Sequence, residues 1–198
     1  ETATATYTLK VTPKTVTVTA NNKTKVYGTS DPEFDATVTG LLGNDTVDYE
    51  LSRAKGENVG SYAITPTGDK DQGNYTVTYV NGTFTITKAT NVLTVTGTNL
   101  SKMYDGTALE SAAATTNITE GTTIEYSTDN GQNWSETAPS RTDVGTTTVS
   151  VRATNDNYET ATATYTLKVT PKLVTVTAID NSKVYGATDP KLGATVTG

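Results

Sequence analysis

The chain is written largely in a two-residue rhythm, with apolar positions separated by single polar ones, most often threonine. In residues 1–11, Ala3, Ala5, Tyr7, Leu9 and Val11 fall on one side and Thr, Glu or Lys on the other, the period of a half-buried β-strand. The alternation recurs at Phe34, Ala36 and Val38, at Val47, Tyr49 and Leu51, at Tyr62 and Ile64, and from Ala161 to Val169. Turn-forming clusters at Asn21-Asn22, Asp31-Pro32, 40–45, 55–60 and 68–73 divide these runs, and no helical periodicity is present. Short strands with turn signals every 8 to 12 residues predict an all-β fold of tandem Ig-like β-sandwich modules in an elongated rod. A β-grasp-like first domain is the alternative.

Two turns carry local predictions. Asn81-Gly82 is a preferred two-residue type I′ hairpin sequence, and such a turn pairs Val80 with Thr83, Tyr79 with Phe84, and Val77 with Ile86. Asp129-Asn130-Gly131, after Ile124 and Tyr126, is a second hairpin signal, with Trp134 just beyond it.

The alternation also repeats on a longer scale. Residues 1–40 return as 159–198, matching at about three positions in four without a gap, a period of 158 residues. That length suits two consecutive small domains. Val-Thr-Pro-Lys, at 11–14 and 169–172, reads as a short stiff joint, because proline cannot donate to a sheet ladder. The chain then divides into 1–13, the closing strand of a preceding truncated repeat; 14–89, a first β domain; 90–172, a second; and 173–198, the first half of a further repeat. The two ends are expected to be the least stable parts.

Composition narrows the chemistry. The chain has no cysteine and no histidine, which removes disulfides, thiolate metal sites, a cysteine nucleophile and the commonest general base. A net charge of −6 argues against nucleic acid or an anionic membrane as partner. No apolar run approaches the ~18 residues of a membrane span. Two Phe and one Trp leave a thin core of Val, Ile, Leu, Tyr and Ala. An enzyme is not expected.

Residues 14–89 carry TVTVTA, KVYG followed by an Asp-Pro turn, ATVTG, ENVGSYAIT, GNYTVTYV and NGTFTITKA in that order. This segment resembles the MBG domain of the YGX type, a repeat of large bacterial surface and secreted proteins. The second domain, with KMYDGTALE, IEYSTDNGQNWSETAPS and DVGTTTVSVRAT, resembles bacterial Ig-like repeats that alternate with such modules. The resemblance implies a non-catalytic stalk in an extracellular adhesin, with neighbouring repeats of the same chain as partners. Alternatives are a module that binds host glycan or mucin, and an accessory region of a secreted glycoside hydrolase.

Few residues invite a site. Trp134, with Tyr126 and Asn130 near in sequence, offers an aromatic plane and an amide of the kind that recognises sugars, against the plainer reading of core packing. Asp69 and Asp71, and the Asn155-Asp156-Asn157 run, supply hard oxygens suited to calcium. Neither follows EF-hand spacing or ends in a closing Glu, so a solvated turn is the plainer reading and no cofactor is expected. Tyr27, Tyr104 and Tyr185, each after Lys-Val or Lys-Met, offer an exposed aromatic site as one reading, and core rings with hydroxyls on backbone carbonyls as the plainer and expected one. Lys25, Lys102 and Lys183 are the lysines to inspect for an intramolecular isopeptide bond, which requires burial beside an acid or amide.

Overall fold

The computed structural model describes residues 1–198 and contains strands but no helix. The chain forms two compact units, one of Glu1–Val92 with Asn155–Glu159, the other of Leu93–Thr154 with Thr160–Gly198.

The first unit contains β1 (Lys14–Ala20), β2 (Lys23–Val26), β3 (Ala36–Thr39), β4 (Glu50–Arg53), β5 (Gly60–Thr67), β6 (Asp71–Gln72), β7 (Tyr75–Val80) and β8 (Gly82–Thr87). They build two four-stranded sheets, ordered β3-β1-β7-β6 and β2-β8-β5-β4. Alternation sets each strand's inner face: Val16, Val18 and Ala20 of β1 are buried, and the threonines between them face outward or sit at half depth. Ala20 from one sheet meets Ile64, Phe84 and Ile86 from the other, with Tyr27, Phe34, Leu51, Val59 and Tyr62 packed around them. Phe34 stands edge-on to Phe84 at 5.5 Å. This is a β-sandwich, without the helix a β-grasp arrangement requires.

The Asn81-Gly82 hairpin does not form. β7 and β8 lie in different sheets: β7 pairs in parallel with β1, placing Val77 opposite Val16, while β8 pairs with β5, placing Phe84 opposite Tyr62. Neither Asn81 nor Gly82 has the positive φ that a type I′ turn needs. The chain here crosses from one sheet to the other. Residues 21–22 make the matching crossover between β1 and β2, and Asn22 Oδ1 accepts a hydrogen bond from the Thr83 N–H at 2.7 Å. Glycine at 82 is explained by proximity rather than turn type, since a Cβ there would come 2.5 Å from the Ala20 carbonyl oxygen. Long-range pairing on both strands overrides the local turn signal.

The Asn155–Glu159 segment is built into this unit by backbone bonds, Ala89 N–H to Asn157 O at 3.0 Å and Glu159 N–H to Ala89 O at 3.0 Å. Asn157 Oδ1 accepts from the Val59 N–H at 2.9 Å, and the Tyr158 ring meets Tyr27 edge-on at 5.3 Å. Residues 1–13 form no strand, contrary to their alternation, and Tyr7, Leu9 and Val11 are exposed. With no neighbouring strand to receive its hydrogen bonds or cover its apolar face, the pattern has nothing to stabilise it.

The second unit contains β9 (Val95–Thr96), β10 (Leu100–Met103), β11 (Leu109–Glu110), β12 (Thr115–Thr116), β13 (Thr123–Ser127), β14 (Ser140–Arg141), β15 (Gly145–Thr154), β16 (Ala161–Thr170), β17 (Thr175–Ala178) and β18 (Ala194–Thr197). Its main sheet runs β10-β16-β15-β13, and β9 with β12, β11 with β14, and β17 with β18 make two-stranded pieces. The long β15–β16 pair sets Val149 opposite Tyr165 and Val151 opposite Ala163. Val149, Val151, Ala153, Tyr165, Leu167 and Val169 form its buried face. The β17–β18 hairpin, by contrast, has exposed side chains throughout.

Candidate functional site

The hairpin after β13 does form. Tyr126 and Ser135 exchange backbone hydrogen bonds of 2.7 and 3.0 Å, and Asn130 and Gly131 take φ values of 61° and 85°. Asp129 organises the tip. Its Oδ1 accepts the backbone N–H groups of Gln132 and Asn133, each at 3.0 Å, and the Ser127 hydroxyl at 2.6 Å, while Oδ2 accepts from Asn133 Nδ2 at 2.6 Å. These donors, led by the Asn133 backbone N–H, hold the carboxyl well below the usual carboxylate range.

Trp134 closes the loop. Its Nε1–H donates to Gly131 O at 2.9 Å, and the Arg152 guanidinium lies 4.3 Å from its ring centroid. Arg152 is itself held by Glu125, Nε to Oε2 at 2.7 Å. Tyr126 is buried and its hydroxyl accepts the Ala114 N–H at 2.9 Å. The structure thus brings Trp134 and Tyr126 to one hollow of about 210 Å³, lined also by Asp129 and Asn133. Asn130 stands outside it, exposed at the turn. Asp129 and Arg152 are the members that the sequence reading missed. The Asp-Asn-Gly turn gave a signal for Asp129, but Arg152 reaches Trp134 from a different strand.

Asp69 and Asp71 line an open cleft of about 780 Å³ in the first unit, together with Asp48, Tyr49 and Glu50. Gln72 ties its walls. Its Oε1 accepts the Asp48 N–H at 2.7 Å, and its Nε2 donates to Asp48 O at 2.8 Å and Asp69 O at 3.0 Å. The Tyr79 hydroxyl also donates to Asp69 O, at 2.9 Å. No three acidic side chains converge closely enough to hold a metal ion. The Asn155-Asp156-Asn157 run is engaged through Asn157, as described above.

The densest charge cluster surrounds Lys25, which is buried although cationic. Lys25 Nζ lies 2.7 Å from Asp31 Oδ1 and 2.5 Å from Glu57 Oε2. Arg53 Nε lies 2.5 Å from Asp31 Oδ2, Arg53 Nη2 also pairs with Glu57, and Arg53 Nη1 donates to Gly56 O at 2.7 Å. The Arg53 guanidinium sits 5.0 Å from the Phe84 ring centroid. Hydrogen bonds from Arg53 and then Lys25 push the Asp31 pKa down to about 2, and those to Asp31 and Glu57 raise that of Lys25. Amide formation needs a neutral amine and a protonated carboxyl. The cluster stabilises the opposite forms, so its chemistry is that of an ion network. Lys102 pairs with Asp105 at 2.7 Å, and Lys183 pairs with Asp189, both nearer the surface.

The lysine-following tyrosines are not a uniform core set. Tyr27 is half-buried against the first core, but Tyr104 is 40% exposed and Tyr185 fully so. The β17–β18 hairpin has no second sheet to receive Tyr185. Hydroxyl bonds to backbone carbonyls are made instead by Tyr62, to Asn58 O at 2.7 Å, and by Tyr79.

Residues 16–85 match the family model described as MBG domain (YGX type), and residues 93–173 match a second model, described as MBG domain. The second match falls where a bacterial Ig-like repeat was expected. Among curated proteins no sequence matches. Two solved structures show partial likeness. One holds the extracellular cadherin domains 1-4 of protocadherin gamma B7, at 12% identity and a TM-score of 0.32, covering 85% of this chain and 55% of that one. The other holds IG1+IG2 of DIP-gamma, at 10% identity and a TM-score of 0.30, covering 76% of this chain and 94% of that one. The chain therefore spans about half the length of the cadherin structure.

Proposed function

We propose, from the premise that this chain belongs to the MBG family through two successive domains, that it is a non-catalytic repeat region of a bacterial cell-surface or secreted adhesin, serving as a stalk. The observation that carries the reading is the 158-residue repeat, whose period contains one domain of each type. Buried polar groups support it, because those described above are spent on holding loops and strands together. No helix is long and apolar enough to cross a membrane, a statement that leaves β-barrels aside. An extracellular location belongs to the same proposal. Its test is solution scattering on chains of one, two and three 158-residue periods. A maximum dimension that rises in proportion to period number is expected, and one that stays nearly constant overturns the stalk reading.

A second reading is a glycan- or mucin-binding module, favoured by the Trp134 hollow with Asp129 and Asn133 on its wall. Arg152 over the indole weighs against it, since that face is already occupied. Titration with a panel of glycans, followed by the emission of the single tryptophan, decides it: no change with any glycan removes this reading. Calcium at the Asp69 and Asp71 cleft is tested separately, by whether added calcium raises the melting temperature of the first unit. An accessory role beside a secreted glycoside hydrolase makes the same local predictions and is separated from the stalk reading by the flanking reading frame.

A further inference from the structure

The first and last strands of the first unit run side by side in one direction. β1 lies parallel to β7 from Lys14↔Tyr75 to Thr19↔Val80, and β2 lies parallel to β8 from Lys23↔Phe84 to Val26↔Thr87. The partners are 61 residues apart in both pairs, so the two segments change sheets together without losing register. The crossover is itself bridged, because Asn22 Oδ1 accepts the Thr83 N–H across the same 61 residues. Both ends are closed by backbone bonds, Lys14 N–H to Asn74 O at 2.9 Å and Tyr27 N–H to Thr87 O at 2.8 Å. Residues 14–26 and 75–87 therefore form one parallel ladder spread over both sheets.

Direction decides what such a ladder does under load. The chain enters at Lys14 and leaves past Thr87, which lie at opposite ends of the ladder. Tension along the chain draws 14–26 toward Lys14 and 75–87 toward Thr87, along the strand axes, so the bonds are loaded in shear and together. A single ladder bond contributes only about 1 kcal/mol net, but sliding requires the loss of many at once. It also drags the buried Val16, Val18, Phe84 and Ile86 out of the core. Separation from one end, by contrast, breaks the pairs singly. β1, β7 and β8 are interior strands whose second edges are held by β3, β6 and β5, so none of the three peels from a sheet edge.

The second unit repeats the arrangement in a shorter form. β10 lies parallel to β16 from Leu100↔Leu167 to Met103↔Thr170, Asn99 Oδ1 accepts the Thr166 N–H at 2.8 Å as Asn22 accepts that of Thr83, and Tyr104 N–H donates to Thr170 O at 2.8 Å. The strand before it, β9, pairs with β12 instead.

We infer that the joined β1–β7 and β2–β8 ladders are a mechanical clamp, which keeps the first unit folded when tension is applied along the chain. This role rests on the stalk reading for the source of the tension, not for the geometry. Scattering tests whether the chain extends and pulling tests whether the ladder holds, so either can fail without the other.

The test is single-molecule pulling on the full chain, in which forced rupture reports the unfolding rate under load. The chain has no cysteine, so introduced thiols are the sole attachment points. Lys14→Cys with Thr90→Cys loads the ladder in shear. Lys14→Cys with Asn74→Cys, whose backbones adjoin, opens the same ladder from one end. All three substitutions fall on exposed side chains. The expected rupture force at equal pulling speed is severalfold higher for the first pair, and equal forces, or a higher force for the second, overturn the inference. Asn22→Ala added to each chain is expected to lower the shear force and leave the one-ended force unchanged, because opening from Lys14 breaks the first pairs before load reaches the crossover. An equal fall in both geometries marks a general loss of stability and overturns the clamp.

Discussion

Lys25 Nζ and Asp31 Oδ1 lie 2.7 Å apart at the rim of the first core, and Asp31 is shared with Arg53, whose guanidinium rests over the Phe84 ring. A carboxylate thus bridges two cations, one of which covers the largest fully buried side chain of the unit. Loss of charge at this one position reaches both the ion network and the packing.

The sign of its pH dependence follows from the directions of the shifts. The Asp31 pKa is about 2 in the folded chain against an ordinary 3.8, so its contribution to stability is present above about pH 4 and is lost as pH falls toward 2. Lys25 is raised, so its contribution is present below its ordinary pKa and lost in strong alkali. Asp31→Asn is expected to lower the melting temperature of the first unit at neutral pH and to flatten its decline between pH 4 and 2. Melting curves across that range check this, and a decline as steep as in the unaltered chain refutes it.

The same charge states predict the covalent state of the lysines. Intact mass of the purified chain is expected to equal the sequence mass. A species lighter by one water shows a lysine–aspartate amide and contradicts the ion-network account, and one lighter by one ammonia shows a lysine–asparagine amide.

Phe84 is fully buried among Ala20, Ile64 and Ile86 and meets Phe34 edge-on. Phe84→Ala is expected to destabilise the first unit by about 3–5 kcal/mol, the usual cost of a cavity of that size. Denaturant unfolding followed by a first-unit probe measures it, and a loss below about 1 kcal/mol is incompatible with the packing described.

Tyr126→Phe removes the hydroxyl that accepts the Ala114 N–H at a buried site. Leaving that donor unpaired is expected to cost the second unit about 1–3 kcal/mol without changing its fold. Denaturant midpoints of the two chains check the size, and hydrogen exchange at Ala114 is expected to rise.

Arg152→Ala uncovers one face of the only tryptophan. Its emission is expected to move to longer wavelength as water replaces the guanidinium, with a loss of about 0.5–1 kcal/mol in the second unit. Unchanged emission rules out the stacked arrangement.

The parts of this protein that depend on neighbours in sequence were legible early. The alternation of Val16, Val18 and Ala20 marked β1, the Asp129-Asn130-Gly131 turn produced its hairpin, and Trp134 was found beside it. The parts that depend on distant partners were not. Arg53 and Glu57 reach Lys25 and Asp31 from other segments, 22 and 32 positions away along the chain, and no local spacing announces them. The Asn81-Gly82 turn failed for the same reason: β1 and β5 compete for the edges of β7 and β8, and two long ladders outweigh one favourable turn.

Residues 1–14 and 159–172 are identical, so they divide what the chain's own pattern determines from what its surroundings decide. By itself the alternation specifies which side chains share a face, Tyr7 with Leu9 and Val11, or Tyr165 with Leu167 and Val169. Whether that face is a strand at all is settled by neighbours. Between β10 and β15, Tyr165 is 2% exposed and its strand is paired on both edges, whereas Tyr7 is 94% exposed in a segment with no strand. A single extended segment cannot satisfy its own hydrogen bonds or cover its own apolar face, so the same tyrosine, leucine and valine are core in one place and surface in the other.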